Sequence, residues 1–451
     1  MRIYTIAAAG LCLAGALSCT DFLGSEKAIS DPNNPTGATR NQLFVGVQSN
    51  IMGQQEGPVA MVVCEWMQQC AGINGRFVES QGKYDGITAD AFDTPFSSIY
   101  TAGGLLGIRA VEASATTDGD LAYRGVARVY EALNMMYAAD VWGAVPYDEA
   151  ATDNTRPSFT PQMQVYSELL TLLDGAITDL GGAGSGPGPF DLIYGGDKTK
   201  WIQAAHTLKA RIYLRRVEKL GNGEYASALT EANQGISTPD NDFRTAHSSA
   251  TSERNMWAQF QVSSFGADLV AGAVLANLMI AQSDPRLPEY FGKNPNGGYG
   301  GFDVTTGSTP LADISPILGS ARTDNSSFRQ PIITYDENQL IKAESSLQTA
   351  NVVAAAVALN AVRARFGKAA ILAPTLTDIM NEKYILTFQN LEAFSDYRRT
   401  CIPALKPATG KLVIPSRLYY GSTEAQTNPN TPSFTDQQAN PRNENDPNAC
   451  P

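Results

Sequence analysis

Long stretches of the chain place apolar residues every three or four positions, and these alternate with stretches in which no period holds. From Tyr123 to Asp140, Val126, Tyr130, Leu133 and Tyr137 fall at i, i+4, i+7 and i+11, one stripe of an amphipathic helix. Gly143 and Pro146 end it. Val165, Leu169, Leu172, Leu173 and Ile177 predict a second helix over 162–180, broken by "GGAGSGPGPF", which reads as a flexible connector. In "KWIQAAHTLKARIYLRRVEK", Trp201, Ala205, Leu208, Ile212 and Arg215 share a face. Lys209, Arg211, Arg215, Arg216 and Lys219 crowd its C-terminal half, where they complement the helix dipole. A shorter helix follows around "YASALTEANQGI". "DENQLIKAESSL" and "NVVAAAVALNAVRARFG" predict two helices joined by a polar turn, the second capped by Gly367. "NEKYILTFQNLEAFSDYRR" repeats Tyr384, Phe388, Leu391 and Ser395. Paired amphipathic helices with small residues where they cross predict an all-α array. Their unequal lengths exclude a regular repeat of ~34 residues.

Residues 241–330 break the pattern. They are rich in Gly, Ser, Asn and Pro, carry isolated aromatics, and offer one helical stretch, "GADLVAGAVLANLMIAQ". So long an irregular segment within a globular protein reads as functional. The division that follows is 1–18 signal peptide, 19–40 spacer, 41–240 helical part with loop insertions, 241–330 loop-rich insertion, 331–420 C-terminal helix pairs, and 421–451 a weakly structured tail.

The N-terminus explains the first two of these. Arg2 precedes an apolar run from Ile6 to Leu17. That run is too short for a bilayer span, which needs ~20 residues, and fits the core of a secretory signal. Cys19 stands at its end, before the polar "TDFLGSEKAISDPNNPTGATR", so any membrane attachment is covalent. Cys64, Cys70, Cys401 and Cys450 remain, an even set in an exported chain. Three pairings exist, and nearness in sequence favours Cys64–Cys70 and Cys401–Cys450. The 451 residues carry a formal net charge of −12, with basic residues scattered, which argues against nucleic acid as a partner.

No motif marks catalysis. Only His206 and His247 are histidines, and His206 sits mid-helix as a packed residue. Metal-site, phosphate-loop and nucleophile-elbow spacings are absent, and no cofactor is expected. Carboxylates are plentiful, which keeps an acid-pair hydrolase as an alternative; a helical scaffold with no ligand is another. Aromatics outside helical stripes, interleaved with Asn, Asp and Arg, suit stacking and hydrogen bonding to a sugar or peptide. One such segment holds Asn74, Arg76, Phe77, Tyr84, Asp93 and Phe96. A second holds Arg254, Asn255, Trp257 and Phe260, and Tyr290, Phe291, Tyr299 and Phe302 follow.

Several stretches, in order, resemble the SusD/RagB family of outer-membrane nutrient-binding lipoproteins. They are "CTDFLGSEKAISDPNNPT", "YEALNMMYAADVWGAVPYDEA", "KWIQAAHTLKARIYLRR", "DPRLPEYF", "ITYDENQLIKAES", "ALNAVRARFG", "EKYILTFQNLEAFSDYRRTCIPAL" and "IPSRLYYGSTEAQTN". Ala16 stands where the lipid-attachment signal usually has Leu, with Leu17 and Ser18 before the cysteine. The resemblance implies a superhelix of tetratricopeptide-like pairs with a loop-built ligand surface. It implies lipidation of Cys19, an outer-membrane and cell-surface location, and a TonB-dependent (SusC-like) barrel as partner. It further implies a glycan or peptide ligand, bound without catalysis. In the turn after Asp140, Trp142 and Tyr147 read as scaffold folding back on the helix. Asp396, Tyr397 and Arg398 read as a structural ion-pair group.

Overall fold

The computed structural model describes residues 37–450 except 86, 102 and 447–449. The signal peptide, Cys19 and most of the 19–40 spacer lie outside the described residues. The helices used below are α1 (Arg40–Glu56), α2 (Pro58–Trp66), α3 (Leu105–Thr117), α4 (Leu121–Trp142), α5 (Gln162–Leu180), α6 (Lys198–Leu220) and α7 (Gly223–Ala232). They continue as α8 (Met256–Gln261), α9 (Ala273–Ala281), α10 (Tyr335–Gln348), α11 (Val352–Arg365), α12 (Leu376–Leu386) and α13 (Glu392–Thr400). From α3 to α7 each helix packs on the next; α7 then packs on α10, and α10 on α11 and α12. The fold is an all-α superhelix of helix pairs, as expected.

Local signals start and stop these helices. Thr39 and Gln42 form a capping box on α1, and Thr375 and Asp378 form another on α12. Asp120 accepts the Tyr123 N–H at 3.0 Å to cap α4. Gly143 ends α4 at φ 87° and Gly367 follows α11 at φ 62°, both left-handed backbone that favours glycine. The stripe Val126–Tyr130–Leu133–Tyr137 is wholly buried. Trp142 and Tyr147 do fold back: the Trp142 indole donates to the Tyr419 carbonyl at 2.9 Å, and the Tyr147 hydroxyl to Glu131 on α4 at 3.0 Å.

Lys219 stands exposed in the last turn of α6, as the dipole reading has it, but the buried cations of that half differ. Arg215 is 1% exposed, with Asp140 at 3.1 Å and Glu392 at 2.6 Å. Arg211 pairs with Glu337 and reaches Glu392 at 3.4 Å. The ion network extends along α13 and α12, where Asp396 meets Lys383 at 2.8 Å and Arg399 at 2.9 Å. Asp396 therefore pairs with Lys383 and Arg399; Arg398 instead donates to the Ser416 carbonyl at 3.0 Å. These cations lie on inward faces, where charge neutralisation by partner helices outweighs any dipole term.

Residues 241–330 are spliced between α7 and α10. Part of the expected helix there is strand: β5 (Leu269–Ala271) pairs antiparallel with β1 (Cys70–Gly72), and α9 begins only at Ala273. Two further two-stranded pairs occur, β2 (Val145–Pro146) with β3 (Phe159–Thr160), and β4 (Phe243–Arg244) with β6 (Pro331–Ile333). The tail is packed, against the weakly structured expectation. Asn443 donates to the Asp140 carbonyl at 3.0 Å and Asn445 to the Arg215 carbonyl at 3.2 Å. The disulfides are Cys64–Cys70 and Cys401–Cys450, and the second ties the tail to the end of α13.

Candidate ligand-binding groove

Ser49 and Gly53, one turn apart on α1, form the shared floor of two adjoining hollows. One, of about 480 Å³, is walled by Arg76, Phe92, Thr94 and Pro95. The other, of about 660 Å³, is walled by Ala246, His247, Arg254, Met256 and Gln259. The two loop segments read from the sequence therefore face each other across one helix. A Cβ added at Gly53 would meet nothing within 4 Å, so the absent side chain leaves the floor open.

Buried polar contacts fix both walls. Glu56, at the end of α1, accepts the Met256 backbone N–H at 3.0 Å, and its other oxygen lies 2.8 Å from His247 Nε2. Asn255 caps α8, its side-chain oxygen accepting the Trp257 and Ala258 N–H groups at 2.9 and 3.3 Å. On the other side the Trp66 indole donates to the Gln81 carbonyl at 3.0 Å. Phe77 meets Phe260 edge-on at 5.4 Å, joining the two loops behind the groove. Beneath Arg76 lies the buried carboxyl of Glu65; desolvation pushes its pKa well up, against the pull of Arg76.

This geometry redistributes the candidate residues. Arg76 and Arg254 line the groove. Phe77, Phe96 and Trp257 do not present faces to solvent, because each fills the core. Phe96 sits among Tyr100, Trp142 and Tyr420. Asn255 is a helix cap rather than a ligand contact, since its amide oxygen is spent on backbone N–H groups. Asp93 pins the tail, accepting from the Ser422 and Thr423 hydroxyls at 2.9 and 3.0 Å. Tyr84 is half-buried, edge-on to Trp66 at 6.0 Å, and burial raises its pKa to about 12. Asn74 is exposed and donates to Asp268 at 3.1 Å. Phe260 and Tyr299 are half-buried against the core. Tyr290 and Phe291 are buried and Phe302 is half-buried. The second segment does expose one ring, Phe265, at 59%.

Sequence reasoning missed Glu56, His247 and Gly53. Glu56 and His247 are 191 positions apart, and no local pattern links them. Gly46 and Gly53 both lie within α1 with open space at Cβ, and no local pattern told the one at the groove floor from the other. Guanidinium and amide donors along the rims, over an apolar wall of Met256, Pro95 and Phe92, suit a ligand rich in hydroxyls with apolar C–H faces. Among the described residues no group of three or more His, Cys, Asp or Glu is placed to hold a metal ion. No described helix is long and apolar enough to cross a membrane.

The comparisons with known proteins agree on the fold. A SusD/RagB family protein from Bacteroides thetaiotaomicron superposes with a TM-score of 0.71 at 18% identity, covering 92% of this chain and 98% of its own. A chitin-binding SusD homolog from Flavobacterium johnsoniae gives 0.70 at 18% identity, covering 90% and 99%. A further structure described as a chitin-binding protein gives 0.73 at 19% identity, covering 90% and 98%. No curated protein matches the sequence significantly. The family model SusD-like_2, described as starch-binding and associating with the outer membrane, matches residues 32–421. With most of its length matched, the chain belongs to the SusD-like family.

Proposed function

We propose that this chain is a surface lipoprotein that captures an oligosaccharide in the α1 groove and passes it to a TonB-dependent outer-membrane barrel. The observation that carries the reading is the convergence of Arg76 and Arg254, from two distant loops, on opposite walls over the open helix face at Ser49 and Gly53. The family's starch-binding description and the chitin-binding neighbours support a glycan as the ligand. Sugar hydroxyls would accept from the guanidiniums and Gln259, while a ring face would lie on Met256 or Phe92. The mechanism is binding without bond cleavage. The lipid would sit on Cys19, and the spacer would enter the body at the first turn of α1, the helix that carries the groove.

The test is calorimetric titration of the mature chain with chitin and starch oligosaccharides. Arg76→Ala and Arg254→Ala should each weaken binding by about tenfold, the value of one or two charge-assisted hydrogen bonds. Gly53→Trp should block the groove and abolish binding; full affinity in that variant would sink the reading. Release of shorter sugars by wild-type protein would replace it with the hydrolase alternative. Co-purification with a barrel from outer membranes, and release of a Cys19→Ser variant into the soluble fraction, test partner and address.

A further inference from the structure

A second cavity, of about 660 Å³, lies between the loops of residues 285–331, the start of α10 and the end of α11. It shares no lining residue with the α1 groove. Five lining residues are arginines (Arg244, Arg286, Arg322, Arg329 and Arg365) and two are acids, Glu289 and Asp336. Both acids are already engaged, Asp336 by Arg365 at 2.8 Å and Glu289 by Arg322 at 3.0 Å. Arg286 is neutralised from behind by Asp284 at 2.7 Å and by Glu382. Arg244 pairs with Asp242 at 2.7 Å.

Arg329 is the exception. It donates to the carbonyls of Thr245 at 2.7 Å and Arg244 at 3.0 Å, and among the described residues no carboxylate lies within ion-pair distance. Its guanidinium therefore adds a second positive charge beside Arg244, which Asp242 pairs and whose charge Asp336 also feels. The side chain is exposed on the cavity rim, and partial desolvation and the Arg244 charge both press its pKa down. The protein holds this charge in place with backbone contacts, at a position where an incoming anion would find two guanidinium groups.

The remaining lining narrows the ligand. Half-buried Phe328 and Phe366 form an apolar wall, and Asn325 and Ser320 add neutral hydrogen-bonding groups. The volume exceeds what a single inorganic ion fills and fits a sugar ring. We infer that this cavity binds an anionic saccharide, with a carboxylate or sulfate held between Arg329 and Arg244 and the ring against Phe328 and Phe366. Guanidinium recognition of such anions is charge-assisted and directional. The inference stands independently of the α1 groove and extends the ligand range of the chain to acidic glycans.

The test is titration of the mature chain, at fixed ionic strength, with four probes: trigalacturonate, its methyl ester, a sulfated trisaccharide and a hexaglutamate peptide. At least one charged sugar should bind about tenfold or more tightly than the uncharged ester, and the tighter of the two identifies carboxylate or sulfate as the anion. Arg329→Ala should weaken that binding by a similar factor. Ala321→Trp, which fills the cavity from an exposed position without changing charge, should do the same if Arg329→Ala proves poorly folded. Neither should alter chitin-oligosaccharide binding in the α1 groove, so the two readings fail separately. Neither charged sugar binding more tightly than the ester, wild-type affinity in Ala321→Trp, or hexaglutamate binding as tightly as the sugars would each overturn the proposal.

Discussion

Tyr130 and Trp201, in the helical array, meet ring to ring at 5.2 Å, each on a regular stripe of its own long helix. Trp257, in the spliced segment, is as completely buried, yet its helix α8 has only 6 residues. A helix that short does not hold itself together in water. Its place comes from Asn255 beneath it and from Glu56 of α1, which accepts the Met256 N–H. The same contrast holds for polar groups. Within the array, buried charges answer one another across helices, as Arg215 does with Asp140 and Glu392. At the loops, buried amides satisfy backbone: Gln69 donates to the Tyr384 carbonyl at 2.8 Å and Gln330 to that of Phe388 at 3.2 Å. The array specifies itself, and the loops are specified by the array.

Breaking the array from within should cost most. Arg215→Ala leaves Asp140 and Glu392 buried without their cation and should lower unfolding free energy by about 3–5 kcal/mol in denaturant melts. If the loss were below about 1 kcal/mol, the network would not be what holds α4, α6 and α13 in register. The crosslinks come next. Opening Cys401–Cys450, with a separation of 49, should cost about 4 kcal/mol in the chain-entropy model; opening Cys64–Cys70, with a separation of 6, should cost about 2 kcal/mol. Reversed magnitudes would mean that the tail is held by its own packing.

Two carboxyls should give opposite pH slopes. Burial raises the pKa of Asp396, but Lys383 and Arg399 outweigh it and hold the carboxyl well below its usual range. Its contribution is therefore present above the unfolded value of 3.8 and lost as pH falls below it. Burial raises Asp336 from 3.8 to about 6, against the pull of Arg365. Folded protein holds that proton where unfolded chain does not, so stability falls as pH rises from 3.8 to about 6. Asp336→Asn should flatten that slope in urea melts, and Lys383→Met should shrink the acid limb. The smallest effect on stability is at Gly53, where Gly53→Trp should change it by less than about 1 kcal/mol while removing groove binding. A large destabilisation there would mean that the groove floor is closed in solution.

The sequence by itself determined α4 to α7, α10 and α11 and their order, but not α1 to α3, and its single run over 381–399 is two helices, α12 and α13. A 3.6-residue period is written locally, and a stripe such as Val126–Tyr130–Leu133–Tyr137 has one way to be buried. It also carried the disulfide pairs, the scaffold turn after Asp140, and the two segments that flank the groove. What it did not carry was which side chains in those segments face outward. Phe77, Phe96 and Trp257 look like free aromatics because no period claims them, but a loop lying on a helix array buries rings without leaving a period. Only tertiary structure decided that Arg215, on an apolar stripe, would be neutralised by Asp140 and Glu392 from two other helices. Likewise it alone set Arg76 against Arg254 across Gly53 and, among the described residues, left Arg329 without a carboxylate at ion-pair distance. Those outcomes depend on distances between residues far apart in the chain, and a local pattern holds no record of such distances.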